Sequence, residues 1–213
     1  IESAYRDYID SYPDSVFAEL LFGKFLRKTG KPAEANALFL RLHRNHPDLA
    51  VVNQQLALYA SETGQVKKAF EHFRTALDID PDTALMHYQF GEFLHTFKTR
   101  VVELQLLSLS QVENEMQRAF RRAHELSPEV RDFELRWAES HFDVFQPDWK
   151  QALSIWDDLL ATTQNQFERD VLRLQKARVL IKLKRYYEAR QLADSVSDPA
   201  LRESRKQVMD ALP

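Results

Sequence analysis

The sequence predicts an all-α protein built from repeated, antiparallel pairs of helices. Proline recurs at an interval of 34 residues, from Pro13 to Pro47 and from Pro47 to Pro81, and a fixed period of this length is typical of stacked helical repeats. Apolar residues between these prolines follow the i, i+3, i+4 spacing of amphipathic helices. Only 4 glycines occur in 213 residues, which disfavours a fold rich in hairpin turns or phosphate-binding loops.

Residues 51–81 contain the most regular unit of this pattern. The apolar stripe of its first helix is Leu56, Tyr59 and Ala60, and that of its second helix is Ala69, Phe73, Ala76 and Leu77. Neither stripe can stabilise its helix alone, because isolated helices of this length are marginal in water. We therefore expect the two helices to pack together and the pair to pack on a neighbour.

The same order of residues recurs one period earlier in the chain. Phe22-Gly23, Gly30, Ala35, Phe39 and Pro47 align with Leu56-Ala57, Gly64, Ala69, Phe73 and Pro81. In its period and in this order of small, aromatic and proline residues, the chain resembles the tetratricopeptide repeat family. The resemblance implies an all-α, right-handed superhelical solenoid of antiparallel helix pairs, with a surface that binds other proteins.

The small residues of this pattern have a physical reason to recur. Gly23, Ala57 and Gly91 are expected where the first helix of a unit lies close to the second, since a larger side chain would push the axes apart. Gly30 and Gly64 fall between the two helices, where glycine readily takes the positive φ of a helix end. These roles account for all 4 glycines of the chain.

The aromatic residues and prolines mark the second helix of each unit. We expect the side chains of Phe39 and Phe73 to fill the space between units. Proline cannot continue a helix, so the second helices should end before Pro47, Pro81 and Pro128.

We expect one array over residues 1–213, made of five units and two end helices. Its segments are a partial unit or cap helix at 1–13, repeat units at 16–49, 50–83, 84–130, 131–165 and 168–199, and a C-terminal capping helix at 200–213. The chain begins at Ile1 and not at Met, so we expect a segment upstream of it.

The third unit departs from the period. Its proline is expected at 115 and stands at 128, which leaves 13 extra residues near 99–111. Ser110 and Glu113 have the spacing of a capping box that would start the second helix at about Gln111; the alternative is one long helix that begins near Val101. The insert is apolar at Val101, Val102, Leu104, Leu106, Leu107 and Leu109. These residues either pack internally or form a contact surface for a partner or a second copy, which would give a homodimer.

Composition and motifs argue against several classes of function. The net charge is −3, which argues against nucleic-acid binding, and no apolar run approaches the roughly 20 residues of a membrane span. No sequence motif indicates a catalytic nucleophile, a metal site or a cofactor. We therefore expect no enzymatic activity. With 0 cysteines, the sequence suits an oxidising compartment as well as a cytosol, so the localisation stays open.

The resemblance also implies a ligand surface, because the first helix of each tetratricopeptide unit lines the concave face. The positions carried over from the family are Phe17, Leu20, Lys24, Arg27, Val51, Gln54, Leu58, Tyr88, Glu92, His95, Leu135, Glu139, Phe142, Leu174, Arg178 and Lys182. Basic residues occupy the two ends of this series and acidic residues its middle. That distribution suits an extended peptide or a helix of mixed charge.

The sequence thus predicts a protein–protein interaction scaffold that binds an extended peptide or a helix of a partner protein in its groove. The alternative is a non-catalytic interaction arm of a larger enzyme, or of a secretion or assembly component, whose active domain lies outside this segment.

Overall fold

The computed structural model describes residues 1–213, with 13 α-helices, one short 3-10 helix and no β-strand. The helices divide into two compact units, Ile1–Leu126 and Ser127–Pro213. This all-α architecture of paired helices confirms the predicted fold class.

Unit 1 contains eight helices. They are α1 (Glu2–Ser11), α2 (Val16–Lys28), α3 (Pro32–Asn45), α4 (Ala50–Glu62), α5 (Val66–Ile79), α6 (Ala84–Thr96), α7 (Lys98–Glu103) and α8 (Leu109–Leu126). The antiparallel pairs are α2 with α3, α4 with α5, and α6 with α8. A buried cluster that includes Phe22, Phe39 and Val52 joins α2, α3 and α4, so neighbouring pairs share one core.

Unit 2 contains the remaining helices. They are α9 (Arg131–Ser140), α10 (Trp149–Thr162), α11 (Gln166–Lys182), α12 (Tyr186–Asp194), the 3-10 helix η1 (Pro199–Leu201) and α13 (Arg202–Asp210). One apolar cluster around Trp156 joins α9, α10 and α11. A second cluster, which includes Leu180, Ala189 and Val208, joins α11, α12 and α13.

The predicted close approach of first and second helices occurs at both helical glycines. A Cβ atom on Gly23 would lie 2.6 Å from ring carbons of Phe39, and one on Gly91 would lie 2.6 Å from a ring carbon of Phe120. Both distances are far inside van der Waals contact, and both rings are buried. The aromatic side chain of the second helix therefore occupies the space that the missing Cβ leaves.

The turns between paired helices use the left-handed conformation that the sequence predicts. Gly30 has φ +81° and Gly64 has φ +71°. Lys184 has φ 62° and Gln105 has φ 55°, although neither is a glycine. At Lys184 the backbone makes the same bonds as at Gly64, since the N–H of Arg185 donates to the carbonyl of Leu180 at 2.8 Å. The fifth unit thus keeps the turn without the glycine that marks it.

The second helices of the first three units end before their prolines, as predicted. The helices α3, α5 and α8 end at Asn45, Ile79 and Leu126, each two residues before Pro47, Pro81 or Pro128. Helix α1 packs on α2 as a second helix would, with the ring of Tyr5 stacked on that of Phe22 at 5.4 Å.

The insert of the third unit forms the short helix α7 and a turn that leads into α8. The alternative of one long helix from Val101 is wrong, because α7 ends at Glu103 and Gln105 takes a left-handed conformation. The capping box is also two residues earlier than predicted. The N–H of Gln111 donates to Oγ of Ser108 at 3.3 Å, and the N–H of Ser108 donates to Oε1 of Gln111 at 2.8 Å. The predicted partner Glu113 instead bonds Lys98 on α7 at 3.3 Å.

Candidate interaction surface

The first-helix face of unit 1 consists of the predicted ligand positions on α2, α4 and α6. Three of these side chains are exposed, namely Phe17, at 71%, Lys24 and His95. Leu20, Arg27, Val51, Leu58, Tyr88 and Glu92 are half-buried. Tyr88 rests against the ring of Phe120 with 6.0 Å between centroids. The accessible surface is therefore mixed, with one large aromatic side chain, one cation and one imidazole.

Polar bonds link neighbouring first helices across this face. The guanidinium of Arg27 on α2 pairs with the carboxylate of Glu62 on α4. Nε2 of Gln54 on α4 donates to Oε1 of Gln89 on α6 at 2.7 Å. Both bonds join residues 35 positions apart, one more than the period of the prolines. They hold the three first helices in one fixed row.

These bonds change two predictions about the ligand positions. Gln54 is 6% exposed, and its side-chain amide is hydrogen-bonded to Gln89. Its side chain therefore stabilises the contact between α4 and α6 and offers little surface to a ligand. The charge of Arg27 is balanced by Glu62, which leaves Lys24 as the exposed cation among the predicted ligand positions of α2. The sequence gives no sign of either bond, because Glu62 and Gln89 lie outside the family's ligand positions.

A buried amide fixes the turn that precedes α4. Nδ2 of Asn53 donates to the carbonyl oxygens of Pro47 at 3.0 Å and Leu49 at 3.2 Å. Its Oδ1 accepts a bond from Nδ1 of His72 on α5 at 3.1 Å. Burial lowers the pKa of His72, and the nearby His43 lowers it further. The neutral imidazole is thus part of the packing between the first and second units.

In unit 2 the predicted ligand positions are less uniform. Leu135, Glu139 and Phe142 are half-buried, and Leu135 packs on the cluster around Trp156. Leu174 is buried in the core of α11, α12 and α13 and presents little surface to a ligand. Arg178 is exposed, and so is Lys182 one turn further along α11.

An open pocket of about 550 Å³ lies beside these two cations. It is lined by Phe142, Val144, Phe145, Pro147, Trp149, Arg178, Ile181, Lys182 and Ala211. Phe145 and Trp149 were not predicted as site residues. Their signal in the sequence is a connection between α9 and α10 that is longer than in the regular units and rich in aromatic residues.

The insert residues pack largely against other helices of unit 1. Val101 is fully buried, and α7 contacts α5, α6 and α8. Val102, Leu104, Leu106 and Leu107 are half-buried, and Leu109 is 49% exposed. Contact of this segment with a partner or a second copy stays a prediction, and it would use a smaller apolar surface than the sequence indicates.

No group of three or more His, Cys, Asp or Glu side chains in residues 1–213 is arranged to hold a metal ion. None of the helices combines the length and the apolar character that a membrane-spanning segment needs.

Comparison with known proteins gives one match to a family model and several to solved structures. Residues 50–83 match the family model described as tetratricopeptide repeat. This segment is the unit that the sequence pattern marks as the most regular. No curated protein matches the sequence significantly.

The solved structures share the fold at low sequence identity. The crystal structure of YrrB, described as a TPR protein with an unusual peptide-binding site, has a TM-score of 0.72 and 12% identity, with 99% of this chain and 94% of that chain covered. PilF of Pseudomonas aeruginosa has a TM-score of 0.58 and 18% identity, with coverages of 99% and 90%. The human IFIT1 dimer with m7Gppp-AAAA has a TM-score of 0.59 and 18% identity, and this chain spans 46% of it.

Proposed function

We propose that this chain, in which residues 50–83 match the tetratricopeptide repeat model and whose fold is shared by solved tetratricopeptide repeat proteins, is a scaffold that holds an extended peptide or a helix of a partner protein against the first-helix face of unit 1. The observation that carries the proposal is the row of first helices joined by Arg27–Glu62 and Gln54–Gln89. A face whose helices are already bonded to one another loses little conformational entropy when a ligand binds, so ligand contacts are retained as affinity.

The exposed side chains of this face suit a protein ligand. Phe17 offers a large apolar contact, and aromatic residues are enriched where proteins bind one another. Lys24 can pair with a carboxylate, while half-buried Leu20 and Leu58 supply apolar surface between the polar groups. YrrB, which shares this fold, is described as having a peptide-binding site. That description supports a peptide as the class of ligand without identifying it.

A nucleic-acid ligand is the rival for the same fold, since IFIT1 was solved with m7Gppp-AAAA. The present chain has a net charge of −3, whereas affinity for nucleic acid comes chiefly from Lys and Arg that neutralise phosphates. Lys24 is the exposed cation among the ligand positions of α2, and Arg27 is already paired with Glu62. The charge of this face therefore favours a protein partner.

The test is affinity capture with the wild-type chain and with a Phe17→Ala, Lys24→Glu variant. Both residues are exposed, so the variant should keep its fold, which thermal unfolding checks. The matched control is Leu40→Ala with Lys67→Glu, which makes the same kinds of change at exposed positions of the second helices α3 and α5. We expect the variant to lose partners that wild type and control retain. If all three capture the same proteins, this face is not the binding site.

A further inference from the structure

An apolar groove between α1 and α2 lies open to solvent. Its volume is about 470 Å³, and no charged side chain lines it. The lining includes Ile1, Tyr5, Tyr8, Phe17, Ala18 and Leu21. Four of these residues are between 38% and 88% exposed, namely Ile1, Tyr8, Phe17 and Leu21. A contiguous set of large apolar side chains is unusual on a protein surface unless another molecule covers it.

The groove corresponds to a place that a helix fills in the next unit. Tyr5 stands one repeat period before Phe39, whose ring packs against Gly23 of α2. Helix α2 thus covers α3 and the start of α4, where its Phe22 and Leu26 are buried in one apolar cluster. The equivalent place beside α1 and α2 is the open groove. Its position therefore suits a helix as the occupant.

The two ends of the groove carry opposite charges. Lys24 and Lys28 continue the stripe of Leu21 towards the end of α2, and both are exposed and form no ion pair. At the other end, Asp14 lies in the turn before α2, and Asp7 lies in the half of α1 that leads into this turn. Both carboxylates are exposed and form no ion pair. The groove is therefore apolar in its middle, acidic at one end and basic at the other.

We propose that this groove binds a second copy of the same chain, with the α1 helix of each copy packing against the groove of the other. A two-fold axis through the middle of the groove brings the acidic end of one copy to the basic end of the second copy. Asp14 of one copy then lies near Lys28 of the other, and this contact occurs twice. The groove edge between these residues is about 21 Å long, and the 10 residues of α1 span about 15 Å.

Charge favours a second copy over other helices as the occupant. A groove with opposite charges at its two ends is complementary to itself under two-fold symmetry. A helix of uniform charge would meet a like charge at one end.

The exposed apolar area suits a weak dimer. The side chains of Tyr8, Tyr12 and Phe17 are more than half exposed, and each can bury about 100 Å² in a contact, roughly half of what an aromatic side chain buries in a core. With Ile1 and Leu21, each copy covers about 500 Å², so the dimer buries about 1,000 Å² in total. This area is at the lower limit for a specific interface. We therefore expect a dissociation constant in the micromolar range.

The first test is sedimentation equilibrium of residues 1–213 over a series of concentrations, where we expect a reversible monomer–dimer equilibrium. A Tyr8→Asp, Leu21→Asp variant should weaken dimerisation about tenfold or more, because a two-fold interface contains each unpaired carboxylate twice. The matched control is Tyr187→Asp with Leu40→Asp, which makes the same changes at exposed positions outside the groove. It should dimerise like wild type. Thermal unfolding checks that both variants fold.

The second test exchanges charges and leaves the apolar residues in place. An Asp14→Lys chain has only cations at these two positions and a Lys28→Asp chain has only carboxylates, so each chain alone should dimerise more weakly than wild type. When the two chains are mixed, both contacts between the ends again join opposite charges. We expect the mixed dimer to form in preference to either dimer of identical chains. Equal formation of all three dimers overturns the two-fold arrangement.

The inference goes beyond the function proposed above, and the outcomes keep the two apart. A monomer at every concentration overturns the inference. A dimer that persists in the Tyr8→Asp, Leu21→Asp variant overturns it as well, because another surface, such as the insert, then joins the copies. Tyr8 and Leu21 are not among the ligand positions of the first-helix face. Loss of the dimer in this variant therefore supports the inference whether or not the Phe17→Ala, Lys24→Glu variant loses its partners.

Discussion

Asn53 and His72 show how single residues hold two repeat units together. The amide of Asn53 bonds the turn that enters α4 and accepts a bond from His72 on α5. The ring of His72 also contacts that of His43 on α3, at 5.4 Å between centroids. A charge on His72 would therefore be formed in a partly desolvated site beside a second imidazole, which explains why its pKa is lowered.

The lowered pKa of His72 predicts a loss of stability in mild acid. Above its ordinary value of 6.5 the imidazole is neutral in both states, and stability is full. As pH falls below 6.5, the unfolded chain binds a proton before the folded chain does, so the free energy of unfolding falls until the pH passes the folded pKa. Glu71 opposes this shift and Lys68 adds to it, both as smaller effects than burial.

Urea unfolding at pH 7.5 and 5.5 measures this effect. We expect His72→Gln to lose less stability than wild type between the two pH values, because the titrating group is gone. His46→Gln serves as the control, since it makes the same substitution at an exposed position. An equal loss in wild type and His72→Gln would show that His72 does not titrate differently on folding.

At the scale of elements, regular units were predictable because one period places the same packing at each of them. The aromatic residues Phe39 and Phe73 are buried, and Gly23 and Gly91 meet aromatic rings. The start of α8 after the insert was harder to predict from the sequence, because Ser108–Gln111 and Ser110–Glu113 both have the spacing of a capping box. The contact of Glu113 with Lys98 belongs to the tertiary fold, and local sequence does not contain it.

The ligand positions were less predictable than the fold for the same reason. A position on the first helix can be read from the repeat, but its exposure depends on partners in the next unit. Gln54 is covered by its bond to Gln89, and Leu174 is covered by the helices that follow it. Phe145 lies in a connection that the repeat does not specify, so no family position points to it.

The burial of Val101 predicts that the insert stabilises unit 1. Val101→Ala should lower the free energy of unfolding by about 1–2 kcal/mol, because removing buried methyl groups leaves a cavity among α6, α7 and α8. Leu109→Ala is the control at the start of α8, and its change should stay within about 0.5 kcal/mol because Leu109 is half exposed. Urea unfolding measures both. A change for Val101→Ala no larger than that for Leu109→Ala would mean that α7 is not part of the core.

At the scale of the whole molecule, the chain consists of two compact units that each hold their own apolar clusters. In unit 1 the paired helices leave one row of first helices, which the Arg27–Glu62 and Gln54–Gln89 bonds join. The apolar groups that stabilise the fold are used within the helix pairs and between neighbouring pairs. We propose that the side chains on the first-helix face recognise a partner, and this division of roles is the central claim of the account.

Site-specific photo-crosslinking tests that claim most directly. Benzoylphenylalanine replaces Lys24 on the first helix α2 in one variant and Leu40 on the second helix α3 in the other, and both positions are exposed. After capture of partners and irradiation, the account predicts a covalent adduct with a partner polypeptide from position 24 and none from position 40. Adducts from position 40 alone, or equally from both positions, would contradict it.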